Sequence, residues 1–393
     1  MIQYHLIDSR EELPGVIRTI SDSETFLKFL SANDLGLTGS HQSGIYLSKD
    51  SWPLFFPEPG STGENREREA VIHWSEHIRS VSCFKWYGKN QKSEYRLTRI
   101  GDFFRDREEM FVGCLFILCR HEGEYRAYVL ESEDDINGVL NFFGISPADT
   151  NCLLRFDLEE RLRPIFRHYL DKIGPDFPDT ETLAKQAQMI CRDLYPELLD
   201  DPDDTILRLV KIEYSLFRFI EKEKYGSLIK EPFSSLDDLL SISLVINNRR
   251  KSRAGKSLEH HLSYILKESG VNFSCGDVTE EQKRPDFLFP GIESYRDPGF
   301  PSDRLFFLGS KTTCKDRWRQ VINEADRIKR KHLFTLQQGF TSAQLREMES
   351  EGIVPVIPKK YHKDCKEIDR ERLMSLKQFI DLVKQSQGKT GLF

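Results

Sequence analysis

The sequence predicts a two-domain chain, with a β-rich first part followed by an α/β domain built on a mixed sheet flanked by helices. Three observations carry this. At 393 residues the chain is too long for one ordinary core. Its first 150 residues carry short apolar, β-favouring runs punctuated by glycines. Beyond the segment Gly174-Pro175-Asp176-Phe177-Pro178-Asp179, apolar residues recur at helical spacing and alternate with short strand-like runs. The expected division is a domain over 1–150, a linker over 151–172 and a second domain over 173–393.

In the first part, residues 111–119 and 124–130 read as neighbouring strands joined by His121-Glu122-Gly123. Gly36, Gly39 and Gly44 mark an irregular early loop. Residues 153–170 form a charged amphipathic helical stretch broken by Pro164. In the second part, Ile206, Leu209, Val210, Leu216, Phe217 and Ile220 make one helical stripe. Leu258, Leu262, Ile265 and Leu266 make another, with Ser257 as its N-cap. Strands are expected at 286–289 and 305–308. A helix should follow, with Trp318, Val321, Ile322, Ala325 and Ile328 on one face.

Composition excludes several classes. Hydrophobic residues make up 38% and charged residues 31%, the balance of a globular protein rather than a disordered one. The longest apolar run, 110–119, is too short to span a bilayer and ends at Arg120. The first residues lack the pattern of a secretion signal. Eight scattered cysteines, none in a CxxC pair, read as reduced thiols of a bacterial-type cytosol rather than disulfides or structural zinc. The net charge of −6 argues against a nucleic-acid coat over the whole surface and leaves local patches open. Two stand out: Lys85, Lys89, Lys92, Arg96 and Arg99, and then Arg249, Arg250, Lys251, Arg253 and Lys256. Either patch alone is more often a solvated face than a DNA contact.

The chemically informative segments are Pro285-Asp286, Ser310-Lys311 and Asn323-Glu324-Ala325-Asp326. Phosphodiester hydrolysis with Mg²⁺ needs acidic oxygen ligands to hold the metal against the scissile phosphate. It also benefits from a cation near the attacking water and the developing charge. Asp286 and Lys311 fit the nuclease pattern PD…(D/E)xK, but Gly309 stands two residues before the lysine, where the second acid is usual. Glycine binds no metal through a side chain, so that acid must come from elsewhere. Glu324 is the candidate, at the edge of the next buried stripe, and Glu259 is a possible addition. By spacing alone, a Pro-Asp and a distant lysine arise by chance in most chains, Glu324 reads equally as a surface acid, and Glu259 reads equally as a first-turn glutamate favoured by its helix dipole.

The run 247–259, Pro285-Asp286-Phe287-Leu288-Phe289-Pro290, and Lys311-Thr312-Thr313-Cys314-Lys315-Asp316-Arg317-Trp318-Arg319-Gln320 with the 323–326 segment closely resemble the catalytic domain of the EcoRII-like type IIE restriction endonucleases. Leu30-Ser31-Ala32-Asn33-Asp34 and Thr38-Gly39-Ser40-His41-Gln42 resemble the family's N-terminal effector domain. The resemblance implies a mainly-β, B3-like pseudobarrel followed by a restriction-endonuclease-like α/β domain. Carried over, it makes Asp286, Lys311 and Glu324 the catalytic set, with Mg²⁺ on Asp286 and Glu324, Glu259 as an accessory acid, and Tyr295 tied to activity. Lys315, Asp316 and Arg317 match the segment that reads CC:GG: Arg and Lys donate to guanine O6 and N7, and Asp accepts from cytosine N4. Without the resemblance, Asp316 reads as a helix cap. His41, Tyr46, Lys89, Glu94 and Arg96 match DNA-contacting positions of the effector cleft. The stretch from Lys89 to Arg96 is one residue longer than expected, and Tyr95 stands where a basic residue is usual.

The family implies a homodimer that binds double-stranded DNA at two site copies, one per type of domain, with a target like CCWGG. The effector domain covers the nuclease cleft until it binds DNA. Two rivals predict otherwise. A non-catalytic DNA-binding regulator on the same domains predicts a disrupted acid–lysine set, which here is intact. A structure-selective repair nuclease of the same fold has no need of a base-reading segment.

Overall fold

A computed structural model describes residues 9–38, 44–74, 78–89, 93–101, 104, 108–154, 161–198, 200–226, 228 and 233–388. The expected DNA contact His41, and Lys92 of the first basic patch, lie outside the described residues.

The first part comprises α1 (Ser9–Ser21), β1 (Glu24–Phe29), β2 (Ile45–Leu47), β3 (Asn65–His73), β4 (Arg79–Tyr87), β5 (Glu94–Thr98), β6 (Leu115–His121), β7 (Glu124–Leu130), α2 (Glu133–Phe143) and β8 (Cys152–Leu153). The strands form one curled sheet in the order β2-β5-β4-β3-β7-β6-β1-β8, nearly closed, with only β3 and β7 parallel. Its central strands are buried on both faces. Phe26, Phe84, Tyr95, Phe116 and Leu118 fill the interior, while Leu27, Phe29, Leu115 and Ile117 point outward under Val16 of α1 and Ile136 and Val139 of α2. That double burial explains the unbroken apolar run around 115–119, which alternation alone would not produce. The strand expected from Phe111 begins at Leu115, because Phe111 closes a 3₁₀ turn (Glu108–Phe111).

The second part comprises α3 (Arg163–Lys172), α4 (Thr180–Leu194), α5 (Pro202–Tyr225), α6 (Leu236–Glu268), β9 (Ser274–Cys275), β10 (Phe287–Phe289), α7 (Ile292–Arg296), β11 (Phe306–Lys311), β12 (Lys331–Thr335), α8 (Ser342–Ser350), β13 (Ile353–Val356) and α9 (Leu376–Gly388). The sheet order is β13-β12-β11-β10-β9, with β9–β10–β11 antiparallel and β11–β12–β13 parallel. One core joins α3–α6, the sheet, α8 and α9. It is separate from the two apolar clusters of the first part.

Three local expectations are corrected. Pro164 does not break a helix: it is the second residue of α3, where a missing N–H costs nothing. Ser257 is not an N-cap. It lies inside the 33-residue α6, whose cap is Ser235, and its hydroxyl donates to Glu213 instead. The helix expected to carry Trp318 to Ile328 is a 3₁₀ segment (Arg317–Asn323) followed by extended backbone at Glu324 and a left-handed Ala325 (φ 51°). Trp318 and Val321, both buried, are three residues apart, which suits three residues per turn, and the Glu324 amide closes an i→i−3 bond to the Val321 carbonyl.

Candidate active site and its closed interface

Asp286 directly precedes β10 and Lys311 ends the adjacent β11, so the antiparallel pairing brings the two together. The Ser310 amide (2.7 Å) and hydroxyl (3.1 Å) both donate to Asp286 Oδ2, which fixes the carboxylate and leaves Oδ1 without a hydrogen bond among the described residues. Gly309 shows why the usual second acid is missing. A Cβ there would lie 3.0 Å from Val321 Cγ1 and 3.2 Å from the Phe307 ring, so the position is filled by packing. The buried Val321 comes from the same 3₁₀ segment that ends at Glu324.

Burial and the nearby Asp286 push the Glu324 carboxyl up to about 7, opposed by Lys311. The Glu259 carboxyl, on α6, is raised by the same two causes in the same order, opposed by Lys311 and Lys256. The common influence of Asp286 and Lys311 places all four groups in one electrostatic neighbourhood, where α6 meets β11 and Thr312 Oγ1 donates to the Ala254 carbonyl (3.2 Å). Among the described residues, no three carboxylate, imidazole or thiolate groups stand close enough together to hold a metal ion as they are. The donor chemistry nevertheless suits a hard divalent cation. Asp286 raises the proton affinity of both Glu259 and Glu324, and its own Oδ1 is unengaged among the described residues.

Tyr295 is buried, and its hydroxyl donates to both oxygens of Glu280 (2.7 and 2.8 Å). Its ring lies beneath the Arg327 guanidinium. These contacts tie the loop before β10 to the strand of chain after Glu324; none of them is to Asp286, Lys311 or Glu324.

The segment 313–317 is engaged by α2 of the first part. Glu133, only 3% exposed, accepts from Thr313 Oγ1 (2.9 Å), the Asp316 amide (2.7 Å) and the Arg317 amide (3.0 Å). Arg317 Nη2 pairs with Asp134 (2.7 Å), and Lys315 Nζ lies 2.9 Å from Cys114 Sγ. At the other end of α2, Arg250 of α6 pairs with Glu221 and donates to the Phe142 carbonyl. Elsewhere the two parts meet through backbone and amide groups, the Lys366–Glu109 ion pair (3.3 Å) and Ala148, which packs against the second core. Gln337 Nε2 donates to the Gly113 carbonyl (3.0 Å) and Gln338 Nε2 to the Pro147 carbonyl (2.8 Å).

The basic patches are largely spoken for. Arg249 donates to the Tyr225 hydroxyl and lies over the Phe177 ring, and Arg253 is buried against Glu213, Tyr214 and Phe217. Only Lys251 and Lys256 of that run stay exposed. In the first part, Tyr46 on β2 faces Arg96 on β5, and Arg96 is buried, bonded to Glu94 (3.1 Å) and the Gly44 carbonyl (3.1 Å). Lys85 and Arg99 pair with Glu67 and Glu69, while the amide of the exposed Lys89 donates to Asn65. Sequence reasoning named Ser310 beside Lys311 but gave it no role, and it missed Glu133. The acidic run Glu131-Ser132-Glu133-Asp134-Asp135 was a visible signal for the second.

Sequence comparison adds to this geometry. A family described as EcoRII C terminal matches residues 217–380, and one described as Restriction endonuclease EcoRII, N-terminal, matches residues 19–147. The chain is 34% identical over 383 residues to the Type II restriction enzyme EcoRII of Escherichia coli, covering 90% of this chain and 92% of that protein. Among solved structures, Metal-depleted Ecl18kI in complex with uncleaved, modified DNA matches 57% of this chain and 83% of its own at 20% identity and a TM-score of 0.44. A Restriction endonuclease PspGI–substrate DNA complex matches 56% and 97% at 17% identity and a TM-score of 0.45.

Proposed function

Because the chain belongs to the EcoRII family of type II restriction endonucleases, we propose that it makes Mg²⁺-dependent double-strand cuts at a short near-palindromic CC/GG-containing site, CCWGG-like, under the control of its first domain. The chain is a site-specific deoxyribonuclease that binds DNA. The observation that carries the proposed chemistry is the Asp286 carboxylate, held by Ser310 beside Lys311 with the proton affinity of Glu324 raised next to it.

Asp286 and Glu324 would hold Mg²⁺, which when bound polarises the phosphate and acidifies a water. Ser310 keeps Asp286 aimed. Glu324 gives up its proton on becoming a ligand. Lys311, which forms no ion pair among the described residues, orients the attacking water and offsets charge on the phosphorane. Glu259 serves as an accessory acid at the solvent side, and Tyr295 braces the loop before β10 through Glu280. Lys315, Asp316 and Arg317 read G·C pairs from between the lysine and the glutamate of the site. Tyr46, Lys89, Glu94 and Arg96, with His41, form the effector contacts to a second site copy. Cutting two strands of a near-palindrome suits a homodimer. No helix of the described residues is long and apolar enough to cross a membrane, and we assign the enzyme to the bacterial cytosol.

Autoinhibition is supported by Glu133 and Asp134, which engage the same Thr313–Arg317 segment that is to read bases. The decisive test is a plasmid digest mapped to the nucleotide, with Mg²⁺ and with EDTA. Discrete bands at one recurring sequence, lost with EDTA, are expected; cleavage governed by DNA structure and independent of sequence would overturn the reading.

A further inference from the structure

Lys315-Asp316-Arg317 lies between two anchors. Cys314 on one side and Trp318 on the other are buried, while Asp316 and Arg317 are exposed. Chain that joins two buried points in this way forms an arch, and its main-chain groups must find hydrogen bonds outside regular structure. Here the amides and the carbonyls find them in different domains. The Asp316 and Arg317 amides donate to Glu133 of the first domain. The Lys315 carbonyl (2.9 Å) and the Cys314 carbonyl (3.4 Å) accept from Gln344 Nε2 of the nuclease domain. Among the described residues, no other side chain of the nuclease domain bonds the main chain of 313–317.

Gln344 can serve two carbonyls because its amide nitrogen carries two N–H groups, and its own position is fixed. Its backbone amide donates to Thr341 Oγ1 (2.9 Å), the cap of α8. Leu345 and Met348 of the same helix are buried in the nuclease core, and Ser342 donates to the buried Asp369. A first turn pinned in this way gives the Gln344 side chain a fixed origin. Thr335, at the end of β12, donates to the Thr312 carbonyl (3.3 Å), directly after Lys311. The nuclease domain therefore holds its chain beside the lysine that is to act on the phosphate, and again beside the residues that are to read bases.

We infer that Gln344 is a specificity-positioning residue: through two main-chain carbonyls it sets where Lys315, Asp316 and Arg317 stand against the base edges once the first domain has withdrawn. This rests on the base-reading role proposed above and adds the residue that gives it its aim. Reading contacts have to be held to within about 0.5 Å, and an arch with unbonded carbonyls samples a wider range. Loss of aim costs the correct site most, because nonspecific DNA offers these side chains phosphates rather than matching base edges. Helix α8 supplies its own control. Glu347, one turn on, pairs with Arg319 (2.7 Å), but both side chains are about half exposed, so the pair contributes little, and it holds a side chain rather than the main chain of the arch.

The test compares cleavage rates on a cognate site and on the same DNA with one G·C pair of the site changed. It uses the full chain carrying Glu133→Ala, in which Gln344 is left to hold the arch. Gln344→Ala should lower the ratio of the two rates by roughly five- to tenfold, the loss expected for one neutral hydrogen bond. The rate on the altered DNA and the melting temperature should stay nearly the same. Gln344→Met, similar in size and without a donor, should behave alike, and it decides if the alanine variant does not fold. Glu347→Ala should keep the parent ratio. Arg317→Ala in the same background separates the two readings: if it leaves the ratio intact, the base-reading role itself falls. If Arg317→Ala lowers the ratio while the Gln344 variants do not, the inference is overturned. Gln344 variants that slow both DNAs equally, or a Glu347→Ala that lowers the ratio as much, also overturn it, because α8 then only supports the fold.

Discussion

Under the proposed autoinhibition, Glu133 is the point at which one substitution should give an unregulated enzyme. Its carboxylate accepts three hydrogen bonds from Thr313, Asp316 and Arg317, all at 2.7–3.0 Å, in a site 3% exposed. Arg317 Nε at 3.8 Å adds little, being 43% exposed. Opening exchanges the three bonds for water, so each is worth about 1 kcal/mol net rather than its full strength. Glu133→Ala should therefore weaken the closed state by about 3 kcal/mol, which is roughly 100-fold in the closed-to-open ratio. The assay is cleavage of linear DNA carrying one site, with and without an added short duplex bearing the site. Wild type should be slow and stimulated by the duplex. Glu133→Ala should be faster by ten- to a hundredfold without the duplex and gain little from it. Glu133→Gln, which keeps the shape and loses the charge, should fall between. Glu122→Ala, in the exposed β6–β7 turn, should match wild type. If Glu133→Ala cut one-site DNA at the wild-type rate and responded equally to duplex, the contact would be passive packing and the regulatory reading wrong.

Asp286→Ala, Lys311→Ala and Glu324→Ala should each lower the cleavage rate by about a thousandfold while binding of specific DNA, measured by gel shift in Ca²⁺, survives, because charge stabilisation acts mainly on the transition state. Arg317→Ala, measured in the open Glu133→Ala background, should lose about 1–3 kcal/mol of discrimination at one G·C pair; an equal loss on nonspecific DNA would make it a phosphate clamp. Glu324, pushed up from 4.5 to about 7, holds a proton in the metal-free fold that the unfolded chain has lost. Its stabilising contribution is therefore present below its ordinary value and lost as pH rises through about 7. Metal must displace that proton, so calorimetry at pH 6.5 in two buffers should show release of about one proton, absent in Glu324→Gln, and affinity should fall as pH drops below 7. A catalytic fragment starting at Arg161 should outlast one starting at Ile173 on heating by about 3–5 kcal/mol, because the second lacks Leu162 and the fully buried Phe166; equal melting would place α3 outside that fold.

What was legible in the sequence follows from how local its causes are. Alternation and turns gave β6 and β7, and helical stripes gave α5 and the buried half of α6, because these signals are read within one element. Asp286 and Lys311 stood out because both flank short apolar runs. The departure at Gly309 could be seen but not explained. Its reason is a contact with Val321, twelve residues away in the chain. Glu324 was placed on a helix because Trp318, Val321, Ile322, Ala325 and Ile328 fit a helical face; the spacing of Trp318 and Val321 fits a 3₁₀ turn equally, and the left-handed Ala325 that ends it leaves no mark in composition. The fate of Arg249, Arg250 and Arg253 was hidden for a related reason. Five cations without a neighbouring acid look like a DNA surface, yet their partners Tyr225, Glu221 and Glu213 lie on α5, a whole helix earlier.

The make-up of the boundary between the two domains bears on whether a closed enzyme could be opened by its substrate. A boundary of interlocked leucines would open only at a large cost in exposed apolar area. Here the large apolar clusters are separate, with Ala148 of the first domain the small side chain packed against the second core, and much of the boundary consists of carboxylate contacts, glutamine side chains on backbone carbonyls, and two glycines back to back. A Cβ on Gly339 would come within 2.8 Å of the Leu30 carbonyl, and one on Gly113 within 2.8 Å of the Gly339 carbonyl. Main chain approaches main chain there, with the Gln337 side chain bonded to the Gly113 carbonyl beside it. Water can replace each of these hydrogen bonds, and DNA presents its own anions to Arg317 and Lys315. Helix α2 concentrates the coupling: its first turn holds the segment 313–317, its Phe142 carbonyl accepts from Arg250, and its apolar side, Ile136 and Val139, stays anchored on the β-sheet of the first domain. Under the proposed regulation, a DNA duplex gripped by that domain should move α2 as a rigid part of it, so that both ends leave the nuclease domain together. The release should then be all-or-none, and Glu133→Ala and a break at Arg250 should shift one equilibrium rather than two independent ones.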